Sequence, residues 1–178
     1  MKTYLEIQVP IRNDAPWFLE LREACKDIDV KWQMGYYHIT MAFVDVTPIG
    51  VDLRPLLKKH LSTFTAPTLT FDKLDAFTTI SGMYIIHLTA TEVPRSFMSV
   101  VQAVRSDMES AGCVMQSMFR LHVTLGRVRD PHLQLPTLQK ILETVSLPAF
   151  SLTLTDIDYR VFRGETIYET NLDRNQQA

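Results

Sequence analysis

Two stretches of this chain, YHITMAFV over residues 37–44 and LHVTLGRV over 121–128, carry the same order of residue types: His, a β-branched residue, Thr, then a large apolar one. Side chains alternate across a strand, so His38 and Thr40 share one face, and Ile39 and Met41 the other. The same parity joins His122 to Thr124 and Val123 to Leu125. The apolar faces can bury against helices while the polar faces line a groove. Imidazole has an ordinary pKa near 6.5, so two histidines across a groove form an acid–base pair at neutral pH. In displacement at phosphorus, one takes a proton from the attacking oxygen and the other gives one to the departing oxygen. Two threonine hydroxyls can hold the non-bridging oxygens. Such chemistry needs neither metal nor cofactor, and the sequence offers no carboxylate or cysteine set at metal-ligand spacing.

The tripeptide is cheap by itself, since a third copy occurs at His87-Leu88-Thr89. That copy is followed by Ala90 and lacks the wider context of the other two. His87 is kept as a candidate substrate contact on the same groove. Of Tyr36 and Tyr37, one turns inward with Ile39 and the other outward; Tyr37 is carried as the candidate substrate contact. Arg127 falls on the face opposite Thr124 in a regular strand, so it reaches a phosphate only through a twist or bulge at Gly126. Arg160 and Arg163 are weaker anion-binding candidates. His60 and His132 read as surface residues.

The rest of the chain bounds the answer. It has 178 residues and a formal net charge of −2, which gives no global basic field for long nucleic acid. A short or small phosphate ligand needs only a local pocket. Cys25 and Cys113 suit two thiols in a reducing cytoplasm better than a disulfide framework. The opening MKTYLEIQVP has no long apolar run of the signal-peptide kind. No segment is long and apolar enough to span a membrane.

The elements that position the motifs follow from periodicity and punctuation. Residues 3–9 alternate as a strand ending at Pro10. Asp14 is a candidate cap for a helix to about Asp27, with Pro16 just inside. A second strand holds His38, and a helix fits 52–64. Runs at 67–78 and 82–91 read as an antiparallel hairpin turning at Ser81-Gly82. A helix over 94–111 stops at Gly112. The second histidine strand covers 118–128, a helix 136–145, and strands 149–159 and 166–170. The tail DRNQQA is polar and expected to fray. The mixed order predicts an α+β fold of mostly antiparallel sheet, in one domain over 1–178. Each half places a helix shortly before a His-x-Thr strand, a hint of duplication.

HITMAF and HVTLGR, 84 positions apart, resemble the paired motifs of the 2H phosphoesterase superfamily, which includes the RNA 2',3'-cyclic phosphodiesterases also called 2'-5' RNA ligases. TYLEIQVP resembles the family's first strand, and DYRVFRGETIYETNL its closing strands. The resemblance implies a bilobal α+β fold of two related lobes around a central cleft, helices outside. It implies that His38 and His122 are catalytic, with Thr40, Thr124 and Arg127 binding substrate. The implied activity is metal-independent hydrolysis of a 2',3'-cyclic phosphate at an RNA end or nucleotide, giving a 2'-phosphate with His122 as base, and 2'-5' ligation in reverse. Another cyclic or 2'-5' linked nucleotide, or a non-catalytic RNA-end binding module, are the alternatives. Phe43-Val44-Asp45 lacks the glycine that usually ends the first motif, which bears on substrate fit. A monomer, without membrane attachment, is expected.

Overall fold

Alternation makes the first strand. In Thr3–Gln8 (β1), Leu5 and Ile7 are fully buried, while Tyr4, Glu6 and Gln8 occupy the other face. The computed structural model describes residues 1–116 and 118–175. The last three residues of the polar tail lie outside the described residues.

Pro16–Ala24 (α1) begins at proline as expected, but Asp14 does not cap it; that carboxylate is engaged by the Arg12 guanidinium. The short strand Val30–Trp32 (β2) has only three residues and was not legible. It leads to the first histidine strand, His38–Val46 (β3). Arg54–Leu61 (α2) follows, with Asp52 accepting from the Arg54 amide. The run read as one strand from 67 divides at Asp72 into Thr68–Phe71 (β4) and Lys73–Thr78 (β5). The hairpin is as expected: β5 pairs antiparallel with Tyr84–Thr89 (β6), and Gly82 in the turn has φ of 77°.

Arg95–Ser110 (α3) buries Phe97, Val101, Val104 and Met108 at helical spacing and stops at Gly112, φ 88°. A two-residue strand, Val114–Met115 (β7), then leads to the second histidine strand, which starts later than expected, at Val123–Val128 (β8). Leu135–Leu142 (α4) precedes Phe150–Thr153 (β9) and Asp156–Val161 (β10), again two strands where the sequence suggested one. Thr166–Asn171 (β11) and a terminal turn, Leu172–Asn175 (α5), complete the order.

The main sheet runs β11-β10-β1-β3-β8-β6-β5, with β2 added to β8 and β7 to β3; β4 and β9 pair separately. Every strand pairing is antiparallel. One order of elements occurs twice along the chain. The series helix, strand, strand, strand, helix, short strand, His-x-Thr strand describes α2-β4-β5-β6-α3-β7-β8. It also describes α4-β9-β10-β1-α1-β2-β3 if the chain is read across its ends, with β11 and α5 inserted. Each short strand pairs with the opposite half: β2 with β8 and β7 with β3. The halves therefore meet along β3 and β8 as one continuous sheet. The buried stripes of α1 and α3 join Ile39, Met41, Val123 and Leu125 in a single apolar cluster, which leaves the His-x-Thr face free for a groove.

Candidate active site

The two motifs meet at one residue pair. Ile39 and Val123 are opposite each other, and both are fully buried. One step to either side, the antiparallel register sets His38 against Thr124 and Thr40 against His122. The two histidines are thus diagonal neighbours, as a local twofold axis through Ile39 and Val123 requires. In regular pairing such neighbours lie roughly 7–8 Å apart, room for a phosphate between two rings.

Both strands carry an irregularity at the same place. Along β3, Glu6 faces Thr40 but Leu5 faces Ala42, so Met41 is an extra residue. Along β8, His87 faces Thr124 but Ile86 faces Gly126, so Leu125 is the extra one. Each bulge shifts the parity by one. Arg127 and its counterpart Phe43 consequently leave the buried face, and both are half-buried. The bulge expected at Gly126 is present, one residue earlier. Arg127 Nη1 donates to Gln33 Oε1 at 3.0 Å, and its charge helps lower the pKa of His38. Glycine at 126 is required by β2: a Cβ there would lie 2.6 Å from Val30 Cγ1 and 3.0 Å from Trp32 Cε3.

A cavity of about 650 Å³ opens on one side of the twofold. Thr40, His122 and Thr124 form its floor, Phe43 and Phe77 its aromatic walls, and Arg120 a charged edge. Arg120 lies over the Phe77 ring at 4.8 Å, a cation–π contact. Met118 and Ile80 stand fully open at the rim. His122 Nδ1 lies 2.9 Å from the Arg120 carbonyl oxygen. Donating that proton leaves Nε2 with its lone pair free in the neutral ring. Burial pushes the His122 pKa down, only partly opposed by the Arg120 carbonyl.

His38 stands outside the cavity lining, on the other side of the twofold. Its ring is set among Tyr36 at 5.4 Å and Tyr4 at 6.2 Å between centroids. Burial, then the nearby charges of His122, Arg127 and Arg160, push its pKa down to about 4. Glu6 is its acidic neighbour, with Oε2 3.5 Å from His38 Nε2. Burial raises the Glu6 pKa to about 7, against the opposing Tyr36 bond and Arg160 charge.

Two expected substrate contacts are corrected by burial. Tyr37 is 3% exposed: it has the parity of Ile39, so its ring packs edge-on to Phe18 and its hydroxyl shares its one hydrogen between Asn13 Oδ1 and the Gln33 carbonyl. Tyr36, with the parity of His38, is the tyrosine on the groove face. His87 is 5% exposed and sits behind His122, with its ring between Phe77 and His122 at 5.1 and 5.9 Å. Arg160, a weaker candidate, lies at Glu6, while His60, read as a surface residue, is half-buried and paired with Asp107 at 2.8 Å. The sequence reading missed Glu6, Phe77 and Arg120. The alternation of TYLEIQ was the available signal for Glu6, because it puts that carboxyl on the polar face of the strand next to β3. Among the described residues no cluster of three or more His, Cys, Asp or Glu side chains is arranged to hold a metal ion. Cys25 and Cys113 are free and buried, and no described helix is long and apolar enough to cross a membrane.

The sequence profile of the 2'-5' RNA ligase superfamily matches residues 13–165, which include both histidine motifs. The chain belongs to this superfamily. The resemblance to 2H phosphoesterases carried by the two motifs is thus borne out, as is the mostly antiparallel α+β fold. Similar solved structures include Escherichia coli LigT complexed with 3'-AMP, at 20% identity over 96% of this chain and 94% of that one, TM-score 0.54. The complex of the same protein with NADP+ matches at 19% identity over 96% and 94%, TM-score 0.55. Kluyveromyces marxianus Usb1 shares the fold at 9% identity over 96% and 98%, TM-score 0.63. No curated protein sequence matches the chain with significance.

Proposed function

We propose that the chain is a phosphodiesterase that opens a 2',3'-cyclic phosphate at an RNA end or nucleotide, using His38 and His122 as acid and base without a metal ion. The observation that carries this reading is the register at Ile39 and Val123, which gives each histidine the other strand's threonine as its neighbour on one face. A tetrahedral phosphate has two non-bridging oxygens for Thr40 and Thr124, with its attacking and leaving oxygens in line toward the two rings. His122 takes the proton of the attacking water, because its Nδ1 faces the Arg120 carbonyl and leaves Nε2 as the acceptor. His38 protonates the departing ribose oxygen. Run backward on a 5'-hydroxyl, the same geometry joins a 2'-5' linkage.

The one-sided cavity suits a nucleoside attached to that phosphate. Phe43 and Phe77 offer rings for a base, and Arg120 a cation at the edge. The structures of E. coli LigT with 3'-AMP and NADP+, on a similar fold, support nucleotide binding here. The net charge of −2 favours a short RNA end or a nucleotide over a long RNA tract.

The test is a panel of nucleoside 2',3'-cyclic phosphates, an oligonucleotide ending in one, ADP-ribose cyclic phosphate and 2'-5' linked dinucleotides, with product analysis and a parallel arm in EDTA. Turnover of a 2',3'-cyclic substrate to a 2'-phosphate, unchanged by chelator, is expected. Tight binding with no product would make the chain a binding module, and activity lost in EDTA and restored by a divalent ion would replace the mechanism.

A further inference from the structure

The local twofold is broken at one buried position on each side. Glu6 on β1 is opposite Thr40, and His87 on β6 is opposite Thr124, so the two positions correspond. Beside His122 the chain buries an imidazole; beside His38 it buries a carboxyl. Glu6 is 0% exposed. Its Oε1 accepts from the Tyr36 hydroxyl at 2.5 Å and lies 3.7 Å from Arg160 Nη1. Its Oε2 has no hydrogen-bond partner and faces His38 Nε2 at 3.5 Å, while the ring's Nδ1 is buried without a partner.

Other charged and titratable groups face this pair from the neighbouring strands. From β10, Asp158 lies 3.1 Å from the Tyr36 hydroxyl, sharing its single hydrogen with Glu6, and accepts from Gln8 at 2.8 Å, while Arg160 supplies positive charge. On β1 itself, Tyr4 stacks near the His38 ring. From β8 and the residue before it, Arg127 and His122 bear on His38. A buried carboxylate oxygen without a partner is costly, and a proton held between it and the imidazole removes that cost.

We propose that Glu6 is a positioning residue of the site: its carboxyl and the His38 imidazole hold one proton between them, and an anionic phosphate in the groove draws that proton onto His38. The phosphate acts by adding negative charge beside the ring that the proton makes positive. What the proton then does rests on the phosphodiesterase reading. It passes from His38 Nε2 to the departing ribose oxygen, while the proton of the attacking water goes to His122 Nε2. The Glu6 carboxylate left behind is stabilised by Tyr36 and Arg160 until His122 gives its proton to solvent and solvent restores that of the pair. The directions of titration agree with this sharing. The pair retains a proton up to about pH 7 on the strength of Glu6, whereas His38 alone would release it above about 4.

Glu6→Gln keeps the shape of the side chain but cannot carry the charge or the shared proton. The primary readout is the ¹⁵N shift of the His38 ring, in wild type and Glu6→Gln, titrated with inorganic phosphate near neutral pH. Difference infrared spectra of the carboxyl region follow the same titration. Phosphate is expected to turn His38 toward the charged form in wild type, with loss of a protonated-carboxyl band, and to leave it neutral in Glu6→Gln. In turnover, the alkaline limb of kcat/KM should move down from near pH 7 toward 4, a loss at neutral pH of about 10²-fold or more. Unchanged His38 shifts in Glu6→Gln, or lost activity with the limb in place, would overturn the proposal. If the variant does not fold, the wild-type titration decides: without a protonated-carboxyl band that phosphate removes, there is no shared proton. Should no cyclic phosphate be turned over, the functional reading fails, while the ring shifts still decide the sharing.

Discussion

His87 ties the stability of the fold to pH. The side chain is 5% exposed, wedged between the Phe77 and His122 rings, and its Nδ1 lies 3.4 Å from the Ile85 carbonyl. That contact lies at the long limit of a hydrogen bond and compensates a charge poorly. Burial therefore pushes the imidazolium pKa from 6.5 down to about 4, with the Ile85 carbonyl and Asp75 opposing it. In the unfolded chain the ring titrates near its ordinary value. Between these two pH values the unfolded state holds a proton that the folded state refuses, so the contribution is complete above about 6.5 and is lost as pH falls toward 4. The shift corresponds to about 3 kcal/mol. His38 has a shift of the same direction, and Glu6 one of the opposite direction, so these two largely cancel between about 4.5 and 6.5. The perturbation is His87→Phe, which keeps a ring between Phe77 and His122 and removes the titration. Urea denaturation at about pH 7.5 and about pH 4 gives each protein's loss on acidification. Wild type should lose about 3 kcal/mol more than His87→Phe, whatever the variant costs at neutral pH. Equal losses in the two proteins would refute the assignment.

Three further outcomes follow from the site. His38→Ala and His122→Ala should each lower kcat by on the order of 10²-fold or more, with the fold retained by circular dichroism; a loss at only one of them would remove the other from the acid–base pair. The pH profile of kcat/KM should be a bell: its acid limb follows His122, which must be neutral and whose pKa burial holds below the ordinary value, and its alkaline limb the proton held at His38 and Glu6, near 7. A profile rising without a second limb would leave the scheme without a general acid. Gly126→Ala should destabilise the protein by about 1–3 kcal/mol in denaturant, since its Cβ must displace Val30 or Trp32; a neutral result would mean that β2 can move aside freely.

The sequence by itself determined the parts that depend on a strand's two-residue period. His38 with Thr40, and His122 with Thr124, were bound to share a face once their segments were extended. The hairpin at Gly82 and the stop of α3 at Gly112 were equally local, because both need a backbone with positive φ that glycine adopts freely. Even the error at Tyr37 was a local one: the parity of Ile39 already sent it inward, and only the groove-side Tyr36 shares the face of His38. What the tertiary structure decided was how these faces meet. The register at Ile39 and Val123 joins segments far apart in the chain, and no short pattern encodes it. The bulges at Met41 and Leu125, which turn Phe43 and Arg127 away from the buried face, exist only relative to partner strands. β2 and β7 are too short for any periodicity and are held by pairing with the opposite half. The run through Asp72 divides because β4 finds its partner in β9, in a different sheet from β5. Burial of Glu6 and His87 is likewise collective: each is an ordinary polar strand residue until both neighbouring strands cover it, and the low dielectric they create is what changes its protonation.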